Sequence, residues 1–120
     1  MPPYLEKLVC TDCQITELPK LPSTLTHLEC SNNELITFPA LPTTLKYLNY
    51  SCNRIPSVPS NLPSSLTYLN CANNSLTNVN YFPSNLMSLI CCGNLLISFE
   101  SELPPNLTFL DCSNNQITLL

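Results

Sequence analysis

The sequence predicts an all-β repeat solenoid with little or no helix, and three observations carry that expectation. First, a frame L-x-x-L-x-C-x-x-N-x-L-x-x-φ, with φ a large apolar residue, opens at Leu5, Leu25, Leu45, Leu66, Leu86 and Leu107, in steps of 20, 20, 21, 20 and 21 residues. A fixed period of this size marks units that cannot bury their apolar face alone and must stack on their neighbours. Second, apolar residues stand two apart inside each frame, as Leu28 and Cys30 do, which is the alternation of a short strand with one face inward. Third, the frames are joined by proline-bearing returns such as Pro39-Ala40-Leu41-Pro42. Proline fixes φ and removes a donor, so these stretches favour extended, polyproline-like backbone over helix.

The elements follow in order. Met1-Pro2-Pro3-Tyr4 aligns with Leu21-Pro22-Ser23-Thr24, so the chain begins as the end of a return, and 1–120 reads as a single domain. Each frame opens with a strand and runs into a polar turn: Ser31-Asn32-Asn33, Ser51-Cys52-Asn53, Ala72-Asn73-Asn74, Cys92-Gly93-Asn94, Ser113-Asn114-Asn115. Asparagine suits such turns because its amide bonds nearby backbone and it tolerates unusual φ. Asn33, Asn53, Asn74, Asn94 and Asn115 fall in register, and stacking aligns them as an internal ladder that satisfies backbone groups the turns leave unpaired. Cys13 opens that ladder with a weaker group. A second apolar pair follows each turn, from Ile15 and Leu18 to Ile117 and Leu120, before the chain returns. The later returns, Tyr81-Phe82-Pro83 and Leu103-Pro104-Pro105, depart from the double-proline pattern.

Composition excludes several functions. Only 10% of residues are charged, with four basic residues and a net charge of −4, so the basic patch of a nucleic-acid reader cannot be built. No apolar run reaches the ~20 residues that span a bilayer, and the N-terminal MPPYLEKL lacks the charged and apolar regions of a signal peptide. The eight cysteines could be read as a disulfide framework. Their placement opposes this. Cys10, Cys30, Cys71, Cys91 and Cys112 share one slot of the frame, Tyr50 fills it in the third copy, and a slot that accepts Cys or Tyr is an apolar core slot. Reduced, mostly buried thiols are therefore expected, which suits the cytoplasm or another reducing compartment. Cys10-x-x-Cys13 is a lone pair without a second pair or histidine cluster, so no zinc site and no cofactor are expected.

The frame with its L-P returns resembles the leucine-rich repeat, in the short form similar to that of secreted bacterial effectors and of proteins encoded by large DNA viruses. The resemblance covers the whole chain in six copies, departing at Cys13, at Tyr50 and at the prolines missing after Val79 and Phe99. It implies six parallel strands stacked into a curved solenoid with the strands on the concave face. At ~4.8 Å per strand, the stack should be a rod about 30 Å long.

Frame positions two, three, five and seven are expected on the concave face. The third column reads Lys7, His27, Tyr47, Tyr68, Ser88, Phe109, and the fifth reads Val9, Glu29, Asn49, Asn70, Ile90, Asp111. His27, Tyr47, Tyr68 and Phe109, with Glu29, Asn49, Asn70 and Asp111, are the candidate partner-binding residues, because exposed aromatics anchor protein interfaces. The competing reading is that cross-strand aromatics only stabilise the sheet. No catalytic set emerges: His27 and Glu29 lack a nucleophile, and Asp12, Glu17, Glu34, Glu100 and Glu102 read as solvated charges. The sequons at Asn49, Asn73 and Asn106 reflect Asn, Ser and Thr richness. The expected role is a non-catalytic interaction or structural module within a larger assembly. It would bind another protein, or copies of itself stacked on its bare ends. The alternative is the substrate-recognition domain of a secreted bacterial effector, which in that family can precede a ligase domain.

Overall fold

Six three-residue strands form one parallel sheet in the computed structural model, which describes residues 1–99 and 102–120. They are β1 (Lys7–Val9), β2 (His27–Glu29), β3 (Tyr47–Asn49), β4 (Tyr68–Asn70), β5 (Ser88–Ile90) and β6 (Phe109–Asp111), and each pairs only with its neighbours in sequence. No helix occurs among the described residues. The register joins like to like: Lys7, His27, Tyr47, Tyr68, Ser88 and Phe109 stand side by side, as do Val9, Glu29, Asn49, Asn70, Ile90 and Asp111. The extra residue of each 21-residue step is thus taken up outside the strands, because a one-residue slip would turn every side chain to the wrong face.

The strand centres Leu28, Leu48, Leu69 and Leu89 are fully buried, with Leu25, Leu45, Leu66, Leu86 and the core-slot residues Cys30, Tyr50, Cys71 and Cys91. Leu35, Leu76 and Leu96 close the core from the far side of the turn. Tyr50 fills its slot by meeting Phe38 edge to face, 5.0 Å between ring centres. All eight cysteines are free thiols; Cys30, Cys71 and Cys91 are buried, and Cys13 is exposed. In the terminal coils Leu5, Leu8, Cys10, Leu110, Cys112 and Ile117 are only half-buried, since each has a coil on one side alone.

The turns divide their work between two adjacent residues. The residue before the ladder position is left-handed in every coil: Asp12, Asn32, Cys52, Asn73 and Asn114 at φ 53–55°, and Gly93 at 66°. The ladder residue then bonds in one direction only. Asn33 Nδ2 donates to the carbonyls of Cys30 and Ser31 in its own coil and of Cys10 in the coil before, while its Oδ1 accepts from the Cys13 and Ile15 amides, also one coil back. Asn53, Asn74, Asn94 and Asn115 repeat the pattern. Cys13 has no earlier coil to reach in this chain, and its thiol donates to the Thr11 carbonyl of its own turn.

The returns close on a proline each. Leu5, Leu25, Leu45, Leu66, Leu86 and Leu107 donate their amides to the carbonyls of Pro2, Pro22, Pro42, Pro63, Pro83 and Pro104, so every coil enters its strand through a Pro-x-x-Leu turn. One expectation needs correction. Position seven does not lie open on the concave face throughout: the strands end at position five, and Ser31 and Ala72 are buried between coils. The molecule measures 44 × 29 × 20 Å along its principal axes.

Candidate protein-interaction face

The concave face is built from the strand residues whose side chains alternate away from the core. In β2, β3, β4 and β5 the central leucine is buried and both its neighbours are half-buried. Register then places His27, Tyr47 and Tyr68 on adjacent strands, and their rings stack. The His27 and Tyr47 centroids are 3.9 Å apart at 3° between planes, and those of Tyr47 and Tyr68 are 4.3 Å apart, also at 3°. Such rings are tighter than the strand spacing of ~4.8 Å, so the side chains lean together. Phe109 lies in the same column but apart from the stack, with Ser88 between it and Tyr68. It is 53% exposed.

Beside the rings, the fifth column has a local duty. Ser31 N donates to Glu29 Oε1, Ser51 N to Asn49 Oδ1, Ala72 N to Asn70 Oδ1 and Ser113 N to Asp111 Oδ1, at 3.0–3.3 Å. Each of these side chains caps an amide two residues on, where the strand ends. Glu29 Oε2 also accepts from Tyr47 Oη at 3.2 Å and Asn49 Nδ2 at 3.0 Å, tying both columns together. At Asp111 the Ser113 hydroxyl adds a 2.6 Å bond to Oδ1.

The electrostatics suit recognition better than proton transfer. Desolvation, then Lys7, pushes His27 below its usual range, so it is neutral at pH 7. Packing in the stack, then Tyr68 and Glu29, raises Tyr47 to about 12, so its hydroxyl stays a donor. The two Ser113 bonds hold Asp111 below the usual carboxylate range, so it is charged. No group of three or more His, Cys, Asp or Glu able to hold a metal occurs among the described residues. Asp12, Glu17, Glu34 and Glu102 are exposed as expected of solvated charges, while Glu100 lies outside the described residues. A hollow between Ile36, Phe38, Val58, Pro59 and Asn61 lies on the return side and has no titratable lining, so it does not compete as a chemical site.

A second periodic set escaped the sequence reading. The residue just before each frame reaches back one coil: Thr24 Oγ1 donates to the Leu5 carbonyl at 2.8 Å, Thr44 to Leu25 at 2.7 Å and Ser65 to Leu45 at 2.6 Å. Asn85 and Asn106 reach the Ser64 and Ser84 carbonyls instead. The signal was present as a column of Thr, Thr, Ser, Asn and Asn in one slot, but the adjacent prolines drew the reading to backbone shape alone.

A single sheet of parallel strands, an asparagine ladder and proline returns at a period near 20 define a leucine-rich-repeat solenoid. The chain is a leucine-rich-repeat protein. The Leucine Rich Repeat family model matches residues 106–120. YopM from Yersinia enterocolitica is similar over 100% of this chain and 26% of its own, at 34% identity and a TM-score of 0.95. A Shigella effector leucine-rich-repeat domain is similar over 97% of this chain and 52% of its own, at 32% identity and a TM-score of 0.91. The functional domain of InlJ from Listeria monocytogenes, described as including a cysteine ladder, shares 28% identity over 97% of this chain and 36% of its own, with a TM-score of 0.65. The chain thus spans from about a quarter to about half the length of these structures. No curated protein matches it. No described helix is long and apolar enough to cross a membrane.

Proposed function

We propose that the chain is a non-catalytic protein-interaction module that binds a partner polypeptide on its concave face, in a reducing compartment of a host cell. The stacked, half-exposed His27–Tyr47–Tyr68 column carries this reading. Its rings are pre-ordered at little further entropic cost, which is what makes aromatics effective anchors. The bonds from Tyr47 and Asn49 to Glu29 support the competing view that the face is self-stabilising, and the experiment separates the two. The immobilised chain and its Tyr47→Ala/Tyr68→Ala variant are presented with the same cell lysate. Capture of a defined protein by the first and its loss in the second, with both folded, supports the face. Undiminished capture by the variant moves the contact to another surface.

The similarity to YopM and to the Shigella effector favours a second reading, in which the chain is the recognition portion of a bacterial effector. Both readings use the same face and differ in what accompanies it. Stacking on the coils of another copy is a further mode, since each coil buries its apolar face only against a neighbouring coil. Light scattering over a range of concentrations tests it; a constant monomer mass rules it out.

A further inference from the structure

We infer that the concave face holds a slot for one arginine side chain of the partner, bounded by Tyr68 and Phe109 and floored by Ser88. This rests on the concave-face reading and gives it a chemistry. The aromatic column is complete from His27 to Tyr68 and resumes at Phe109, but the strand between carries serine. One face of Tyr68 is covered by Tyr47 at 4.3 Å, while the other looks over Ser88. Two strand spacings of ~4.8 Å separate Tyr68 from Phe109, so a planar group seated midway lies about 4.8 Å from each wall. That is close to the 3.9 and 4.3 Å ring separations realised elsewhere in the column. The rim is apolar, with Met87 48% exposed and Ile90 half-buried on neighbouring positions.

Charge selects among planar groups. Asp111 stands two residues beyond Phe109 on the same face of β6, and its Oδ1 is fixed by two bonds from Ser113. Oδ2 takes no part in those two bonds, and the side chain beside this carboxylate is the Cys92 thiol, a weak donor that a guanidinium outcompetes. Glu29, the other carboxylate of the column, is instead engaged by Tyr47, Asn49 and Ser31. A guanidinium is the planar group that stacks on an aromatic face and pairs with a carboxylate at once. The net charge of −4 favours a cationic partner. Nothing from within supplies the group, since the chain's single arginine, Arg54, is exposed beyond the turn of the third coil.

The test uses the isotope-labelled chain and three short peptides, acetyl-Gly-Arg-Gly-amide and its lysine and citrulline counterparts, followed by NMR. The arginine peptide should shift the amides of Tyr68, Ser88, Ile90, Phe109 and Asp111. The citrulline peptide, planar but neutral, should bind on the order of tenfold more weakly. Ser88→Tyr, which inserts the ring that neighbouring coils already carry, should abolish the shifts without lowering the melting temperature. Asp111→Asn should weaken them. Equal binding of citrulline, or shifts that survive Ser88→Tyr, overturn the slot. If Ser88→Tyr leaves lysate capture intact while Tyr47→Ala/Tyr68→Ala removes it, the concave reading stands and the arginine slot falls. If neither change affects capture, both fall.

Discussion

At the scale of one residue, Tyr50 is where the core departs from its own pattern. Its ring is fully buried, and its hydroxyl is a buried polar atom without a hydrogen-bond partner among the described residues. The Cys71 thiol lies beside it but off hydrogen-bonding geometry. An unsatisfied buried hydroxyl costs roughly 1–3 kcal/mol. Tyr50→Phe should therefore keep the edge contact with Phe38 and leave stability unchanged or raised by about 1 kcal/mol in urea titration. Tyr50→Ala should lower it by roughly 3–5 kcal/mol, because the slot is closed on every side and cannot collapse. A Phe variant less stable than the parent would show that the hydroxyl has found a partner.

At the scale of the coil, two ladders hold each turn to the one before it. In the inner ladder, Asn74 Nδ2 donates to the Tyr50, Cys71 and Ala72 carbonyls and its Oδ1 accepts from Ile55 N, whereas Asn78 is exposed. Asn74→Ala should cost on the order of 1–3 kcal/mol and Asn78→Ala close to nothing, read as urea midpoints of the two variants. In the outer ladder, Thr44 Oγ1 donates to the Leu25 and Ser23 carbonyls. Thr44→Val keeps the shape and should lose about 0.5–1.5 kcal/mol, while the neighbouring Thr43→Val should be neutral. Equal effects at 43 and 44 would remove the outer ladder as a stabilising element. Gly93 is specific to its coil for a different reason: at φ 66° an added Cβ would run into the Asn73 amide oxygen of the preceding turn.

For the whole molecule, the thiol column ties stability to alkaline pH. Burial, then the neighbouring Cys112 and Cys92, raises Cys91 from its ordinary 9.0 to about 12. Burial also pushes Cys30 and Cys71 well upward. A thiol that is harder to ionise in the folded chain than in the unfolded one contributes stability in full below the unfolded value. That contribution is lost as pH rises through the folded value. Unfolding midpoints should therefore be flat on this account up to about pH 9 and fall between 9 and 12. Replacing Cys91 with Ala should flatten part of that fall. An alkaline limb of the same slope in the variant would assign the loss to other groups.

The sequence by itself determined the architecture: the period near 20, the buried Leu and Cys slots, the proline returns and the inner asparagine ladder all follow from which residues recur in which slot. A repeat makes each inference several times over, so one exception such as Tyr50 does not obscure it. It also marked the concave columns, because period-two alternation assigns faces without any knowledge of contacts. Only the tertiary structure decided how those columns are used. Stacking of His27, Tyr47 and Tyr68, the ties of Tyr47 and Asn49 to Glu29, and the gap over Ser88 depend on how side chains lean across strands, which spacing along a chain does not encode. The one-way sense of both ladders was hidden for the same reason. An asparagine or threonine in a slot declares that it will bond backbone, but which coil it reaches is set by the offset between neighbouring turns, and that offset exists only once the coils are stacked.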